Sequence, residues 1–149
     1  TATVNGTGNL IVGYNQLSGL LHCSDGQYAD ETSCTTGGAI WSDQHRSGSH
    51  NIVAGEQNNY SWYGGMIVGN RNTINSGYAS VSGGIENTAS GFISSVSGGN
   101  GNTASGRQSS VSGGHSNTAS GDQSSVSGGY RRSVSGSYDW AAGSLFEEQ

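Results

Sequence analysis

The chain has 149 residues, a net charge of −5 and only 10% charged residues; its 27 Gly stand beside no Pro, and all five basic residues outside histidine are Arg. That acidic balance argues against a nucleic-acid backbone as partner, and no apolar run approaches the ~20 residues of a membrane helix, so the chain is not expected to be membrane-inserted itself. A hydrophobic fraction of 31% with this much Gly and Ser would suit a flexible chain, but a strict internal period argues for order.

From the start at Thr1, which reads as a trimmed or mature fragment without a signal peptide, the first apolar phrase is Leu10-Ile11-Val12-Gly13. It reads as a divergent copy of Val81-Ser82-Gly83-Gly84. Strand alternation then turns Leu10 and Val12 inward and Ile11 outward; the same phase turns Val53 and Ile67 outward.

Residues 20–49 break the period and read as an insertion. They hold both cysteines, Cys23 and Cys34, eleven apart. These read as a disulfide in an oxidising, extracellular setting, closing a loop that contributes ~3 kcal/mol; two free thiols in a loop is the alternative. Neither has a partner at metal-finger spacing, so no metal and no cofactor is expected. Asp25, Asp30 and Glu31 are the best acidic candidates for a cation or ligand loop, although their spacing does not match an EF-hand and a solvated loop is the favoured reading.

The period returns at Ile52-Val53-Ala54-Gly55 and Met66-Ile67-Val68-Gly69, fourteen apart, and Met66 to Val81 counts as 81 − 66 = 15. Between them Tyr60, Trp62 and Tyr63 form an aromatic patch, either a sugar-stacking or protein-binding site or a hydrophobic lid over the first coils.

From Ser80 to Gly129 one phrase recurs: Ser-Val-Ser-Gly-Gly, two variable residues, Asn-Thr-Ala-Ser-Gly, three more. Val81, Val96, Val111 and Val126 keep a step of 96 − 81 = 15, as do Asn87, Asn102 and Asn117. A short fixed period means a solenoid, each repeat a coil stacked on the last. Val and Ala point inward, the flanking Ser and Thr outward. Gly83, Gly84 and Gly91 supply bends. The asparagines, superposed at one corner, form an amide ladder with a structural role. Variation is confined to the corners: Ile85-Glu86, Asn100-Gly101, His115-Ser116 and Tyr130-Arg131 at one, Phe92-Ile93, Arg107-Gln108 and Asp122-Gln123 at the other. About residues 137–149 form a C-terminal cap, with Trp140, Leu145 and Phe146 plugging the last coil.

A uniform coil buries about one Val and one Ala, worth ~2–3 kcal/mol. About ten hydrogen bonds at ~1 kcal/mol net add to that, against ~15 kcal/mol of backbone entropy. The balance near zero predicts that several chains bury these coils together, with Ile11, Val53 and Ile67 in the contact.

The repeats Ser80–Gly84 with Asn87–Gly91, their copies to Gly129, and the phrases Ile52–Gly55 and Met66–Gly69 resemble the head region of trimeric autotransporter adhesins of the YadA type. The resemblance covers half to two-thirds of the chain and rests on a low-complexity motif. It implies an all-β, left-handed parallel β-roll forming one head domain, assembled as a homotrimer. It also implies a non-enzymatic adhesive role at a bacterial cell surface, towards an extracellular matrix protein, a cell or a glycan. The chain departs from the family in showing no neck, heptad stalk or membrane-anchor barrel within these residues. Two further readings stay open. Thr88, Thr103 and Thr118, each two before a Ser, resemble the Thr-x-Thr rank of insect ice-binding solenoids, and a phage tail-fibre tip would share the architecture. An enzyme is not expected: Glu86 and Asp122, the only acids of 80–129, fall on different coils, and His115 has no evident partner.

Overall fold

The computed structural model describes residues 7–13, 30–38 and 46–143, and of 22–23 and 41–42 the backbone alone. The protein is a parallel β-solenoid of about six turns. Its first sheet has eight strands, Leu10–Val12, Ile52–Glu56, Met66–Asn70, Ser80–Val81, Ser95–Val96, Ser110–Val111, Ser125–Val126 and Trp140–Ala141. Its second has six, Asn59–Tyr60, Thr73–Ile74, Thr88–Ala89, Thr103–Ala104, Thr118–Ala119 and Ser133–Val134. Every neighbouring pair in both sheets is parallel, and successive coils alternate between them.

The repeat superposes as expected. Val81, Val96, Val111 and Val126 stand in register on one sheet, Ala89, Ala104 and Ala119 on the other, and all are buried. The second ladder runs one coil beyond Gly129, because Val134 pairs with Ala119.

The phase of the early strands is the reverse of the expectation. Ile11 pairs with Val53, Val53 with Ile67 and Ile67 with Val81. Val53 and Ile67 are therefore core residues, fully buried, and cannot form an outer contact. Leu10, Val12 and Ile52 point away from the core and are 59%, 59% and 49% exposed. Ile11 shares the inward phase but is 47% exposed. Met66 pairs with Ser80 rather than Val81, so the step there is 80 − 66 = 14. The longer step begins with the extra glycine of the Gly-Gly pair.

The same one-residue slip moves Trp140. It pairs with Ser125 while Ala141 faces inward opposite Val126. Trp140 is 64% exposed, and its indole N–H donates to Ser127 Oγ at 2.7 Å, so it does not plug the coil. Leu145 and Phe146 lie outside the described residues.

Two columns of glycine carry the close stacking. Gly84, Gly99 and Gly114 take φ of +86°, +89° and +89°, and a Cβ on each would collide with the carbonyl oxygen one coil on. Gly91, Gly106 and Gly121 have no positive φ. They are needed because a Cβ would strike the next glycine's carbonyl, so their role is close approach rather than a bend. Gly83 meets only Ser97 O, at 3.9 Å.

The asparagine ladder is the strongest polar element. Asn87 Oδ1 accepts from the Asn102 N–H at 2.9 Å, and Asn102 Oδ1 from Asn117 N–H at 2.9 Å. Each carboxamide NH2 donates both to a carbonyl of its own coil and to one in the next; for Asn102 these are Gly98 O at 3.0 Å and Gly114 O at 2.9 Å. Asn58 and Asn72 extend the ladder upstream, and Arg132 N–H closes it on Asn117 Oδ1 at 2.8 Å. One side chain thus reaches three backbone groups: it supplies the partner of the next asparagine's N–H and of its own coil's glycine carbonyl, and adds a second bond to the next coil's glycine carbonyl, which already accepts from a backbone N–H.

Between the first two strands of the first sheet the chain makes a long excursion: Ile11 to Val53 spans 53 − 11 = 42 residues, against 67 − 53 = 14 for the next step. It contains an antiparallel pair, His22–Cys23 with Trp41–Ser42, and a short helix, Glu31–Thr36, that the sequence did not suggest. The chain is back on the solenoid by Gly48 and Ser49, whose N–H groups donate to Tyr60 O and Trp62 O at 3.0 and 3.1 Å.

Candidate functional site

Each coil closes through a corner whose second residue adopts left-handed backbone, as at Tyr78 (φ +57°), Ile93 (+60°), Gln108 (+57°) and Gln123 (+57°). Such a residue turns its side chain off the sheet, and the stack places equivalent side chains above one another. The variable residues therefore form columns along the edge of the solenoid.

At one edge the column is aromatic. Trp62 lies 5.9 Å from Tyr63, Tyr63 5.3 Å from Tyr78 and Tyr78 5.8 Å from Phe92, the last two pairs edge-to-face. These are favourable ring geometries. The Arg107 guanidinium sits 6.0 Å from the Phe92 centroid, and the Arg107 backbone N–H donates to Asp122 Oδ1 at 3.0 Å. Trp62, Tyr78, Phe92 and Ile93 are all exposed, between 37% and 53%. The result is a continuous aromatic strip over consecutive coils that ends at the Arg107 guanidinium.

Of the three aromatics expected to act together, Trp62 and Tyr63 belong to this strip. Tyr60 does not. It pairs with Ile74 in the second sheet, is 3% exposed and belongs to the core. Burial raises its phenol pKa, opposed by the nearby positive charge of Arg46. The reason is register: Tyr60 stands opposite the core residue Ile74 and shares its inward phase. Tyr78 and Phe92 complete the strip and were not expected. The available signal was spacing, since Phe92 stands 92 − 63 = 29 residues after Tyr63, two coils on.

The acidic candidates divide. Asp30 is the N-cap of the short helix; its carboxylate accepts from the Ser33 N–H at 2.9 Å and from the Ser33 hydroxyl, and these bonds lower its pKa. It is a structural cap rather than an ion ligand. Asp25 lies outside the described residues. Among the described residues no three His, Cys, Asp or Glu side chains gather as a metal site would require. Cys34 is fully buried on the helix, whereas the Cys23 side chain lies outside the described residues.

Fold and edge together define a parallel β-solenoid repeat protein with a rigid scaffold and variable corner columns. No family model, curated protein or solved structure matches this chain. No helix is long and apolar enough to cross a membrane among the described residues.

Proposed function

We propose that the chain is a non-enzymatic, adhesin-like head module of a bacterial cell surface that works as a homotrimer and binds a matrix protein, cell or glycan ligand. The observation that carries this reading is the strip Trp62, Tyr63, Tyr78 and Phe92, whose rings touch in succession across consecutive coils and of which all but the half-buried Tyr63 are exposed. Exposed contiguous aromatics on rigid backbone are the usual anchors of recognition. An array of neutral glycans and matrix proteins tests it: the double variant Trp62→Ala, Tyr78→Ala should lose every hit on it, and unchanged binding would refute the strip as the site.

Assembly is supported by a second feature. Leu10, Val12 and Ile52 stand outward where later coils carry Ser80 and Ser82. This apolar face is what a sister chain would cover, replacing the contact expected from Ile11, Val53 and Ile67. Sedimentation at micromolar concentration should give three times the chain mass, and Ile52→Asp should lower it; a monomeric parent would contradict the trimer. The cell-surface reading includes a Cys23–Cys34 disulfide, supported by the packing of the helix bearing Cys34 against the strand bearing Cys23. Thiol titration of unreduced, unfolded protein should find none.

The second reading, ice binding, is favoured by one observation. Thr73, Thr88, Thr103 and Thr118 stand in register on one parallel sheet with outward, half-buried side chains. Thermal hysteresis in dilute solution would overturn the adhesive reading in its favour.

A further inference from the structure

The opposite edge carries a cluster of a different kind. Ile85, Asn100, His115 and Tyr130 are joined coil to coil by parallel bridges. The His115 and Tyr130 rings stack 5.2 Å apart, 16° from parallel, and the Arg131 guanidinium lies 5.0 Å from the Tyr130 centroid. Arg131 is left-handed at φ +52°, and its N–H donates to His115 O at 3.0 Å, so its backbone is fixed to the preceding coil. Ser116 Oγ meets His115 Nδ1 at 3.2 Å and sets the ring's orientation. Arg132 follows at the asparagine position of the ladder.

Arg131 and Arg132 are adjacent, on the coil after His115, in a chain whose net charge is −5. The corner column below Arg131 continues through Ser116 and Gly101 before reaching an acid, Glu86, and Glu86 is already 3.4 Å from Arg71. The Tyr130 ring holds the Arg131 guanidinium beside it, and a planar guanidinium offers paired N–H groups to a bidentate oxyanion. The ring also restrains a side chain that would otherwise lose rotamer freedom on binding. A neutral sugar would not use these charges. A polyphosphate backbone needs a far more basic surface than an acidic chain offers.

We propose that this corner binds the sulfate or carboxylate of an acidic glycan, with Arg131 as the bidentate contact and the stacked His115 and Tyr130 rings as the flat surface beside it. The test is calorimetric titration of the full chain at low salt with three probes: a heparin-derived hexasaccharide, an unsulfated polyuronate hexasaccharide and inorganic sulfate. One or both hexasaccharides should bind, and which of them binds assigns the anion as sulfate or carboxylate. Arg131→Gln should weaken that binding about tenfold or more. Arg131→Lys should not restore it, because an ammonium lacks the planar fork. Arg71→Gln should leave it unchanged. The proposal falls if neither hexasaccharide binds, if Arg131→Gln binds like the parent, if Arg71→Gln weakens binding equally, or if inorganic sulfate binds as tightly as the oligosaccharides. Circular dichroism checks that each variant keeps the fold. Trp62→Ala should leave this binding intact, so failure here and failure of the aromatic strip are separately visible.

Discussion

The coils before Asn75 and those after Ser80 share one backbone and differ in almost everything attached to it. The early coils fill their interior with Val53, Tyr60, Ile67 and Ile74, and present Leu10, Val12 and Ile52 outward. The later coils fill it with one Val and one Ala each, and their outer rows are Ser and Thr. Yet the asparagine ladder crosses the boundary without interruption, from Asn58 through Asn72 and Asn87 to Asn117. The comparison teaches that backbone stacking and buried carboxamides set the architecture. Side-chain bulk is free to vary, and the early coils use it for contact.

The most damaging test of that view removes the stacking itself. Gly99→Ala places a Cβ against the Gly114 carbonyl at a left-handed position, and should cost more than about 4 kcal/mol in denaturant unfolding. Gly83→Ala, with no near contact, should stay within about 1 kcal/mol. Equal tolerance at both positions would mean that close coil contact is not what holds the stack.

Next comes the ladder. Asn102→Ala leaves the Asn117 N–H and the Gly98 carbonyl without their partner and takes one of two bonds from the Gly114 carbonyl, and should cost about 2–4 kcal/mol. The comparison predicts a similar loss for Asn72→Ala among the bulky coils; a much smaller one there would show that core volume, not the ladder, dominates early.

Interior bulk ranks third. Ile67→Val gives the early coil the side chain of the later ones at a fully buried site, and should cost only about 0.5–1.5 kcal/mol. Smallest is the half-exposed Arg71–Glu86 pair at 3.4 Å. Glu86→Gln should shift stability by less than about 1 kcal/mol, and less again in high salt.

The repeat was legible because Val, Asn and Gly recur where each is physically required, so period, sheet register and ladder could be read directly. The early phase was not. Leu10-Ile11-Val12 is apolar on both faces, and no polar residue marks the outside. Only the pairing of Ile11 with Val53, and so on to Val81, fixes it. Trp140 misled in the same manner, by bulk. The aromatic strip was half legible, since nearness in sequence grouped Tyr60 with Trp62 and Tyr63, whereas register separates it and coil spacing adds Tyr78 and Phe92. The short helix has a cap at Asp30 that could have been noticed, but its six residues carry almost no periodic signal.

Each ladder asparagine addresses only the coils immediately beside it. Nothing within a uniform coil therefore records how many others there are. Fifteen residues inserted or excised in phase, for example 95–109, leave the Val, Ala and Asn columns in register, changing only corner contacts, while moving one end of the rod by about 4.8 Å. The distance between the aromatic strip and the far tip is thus an adjustable reach, set by copy number, that can change without any recognition residue changing.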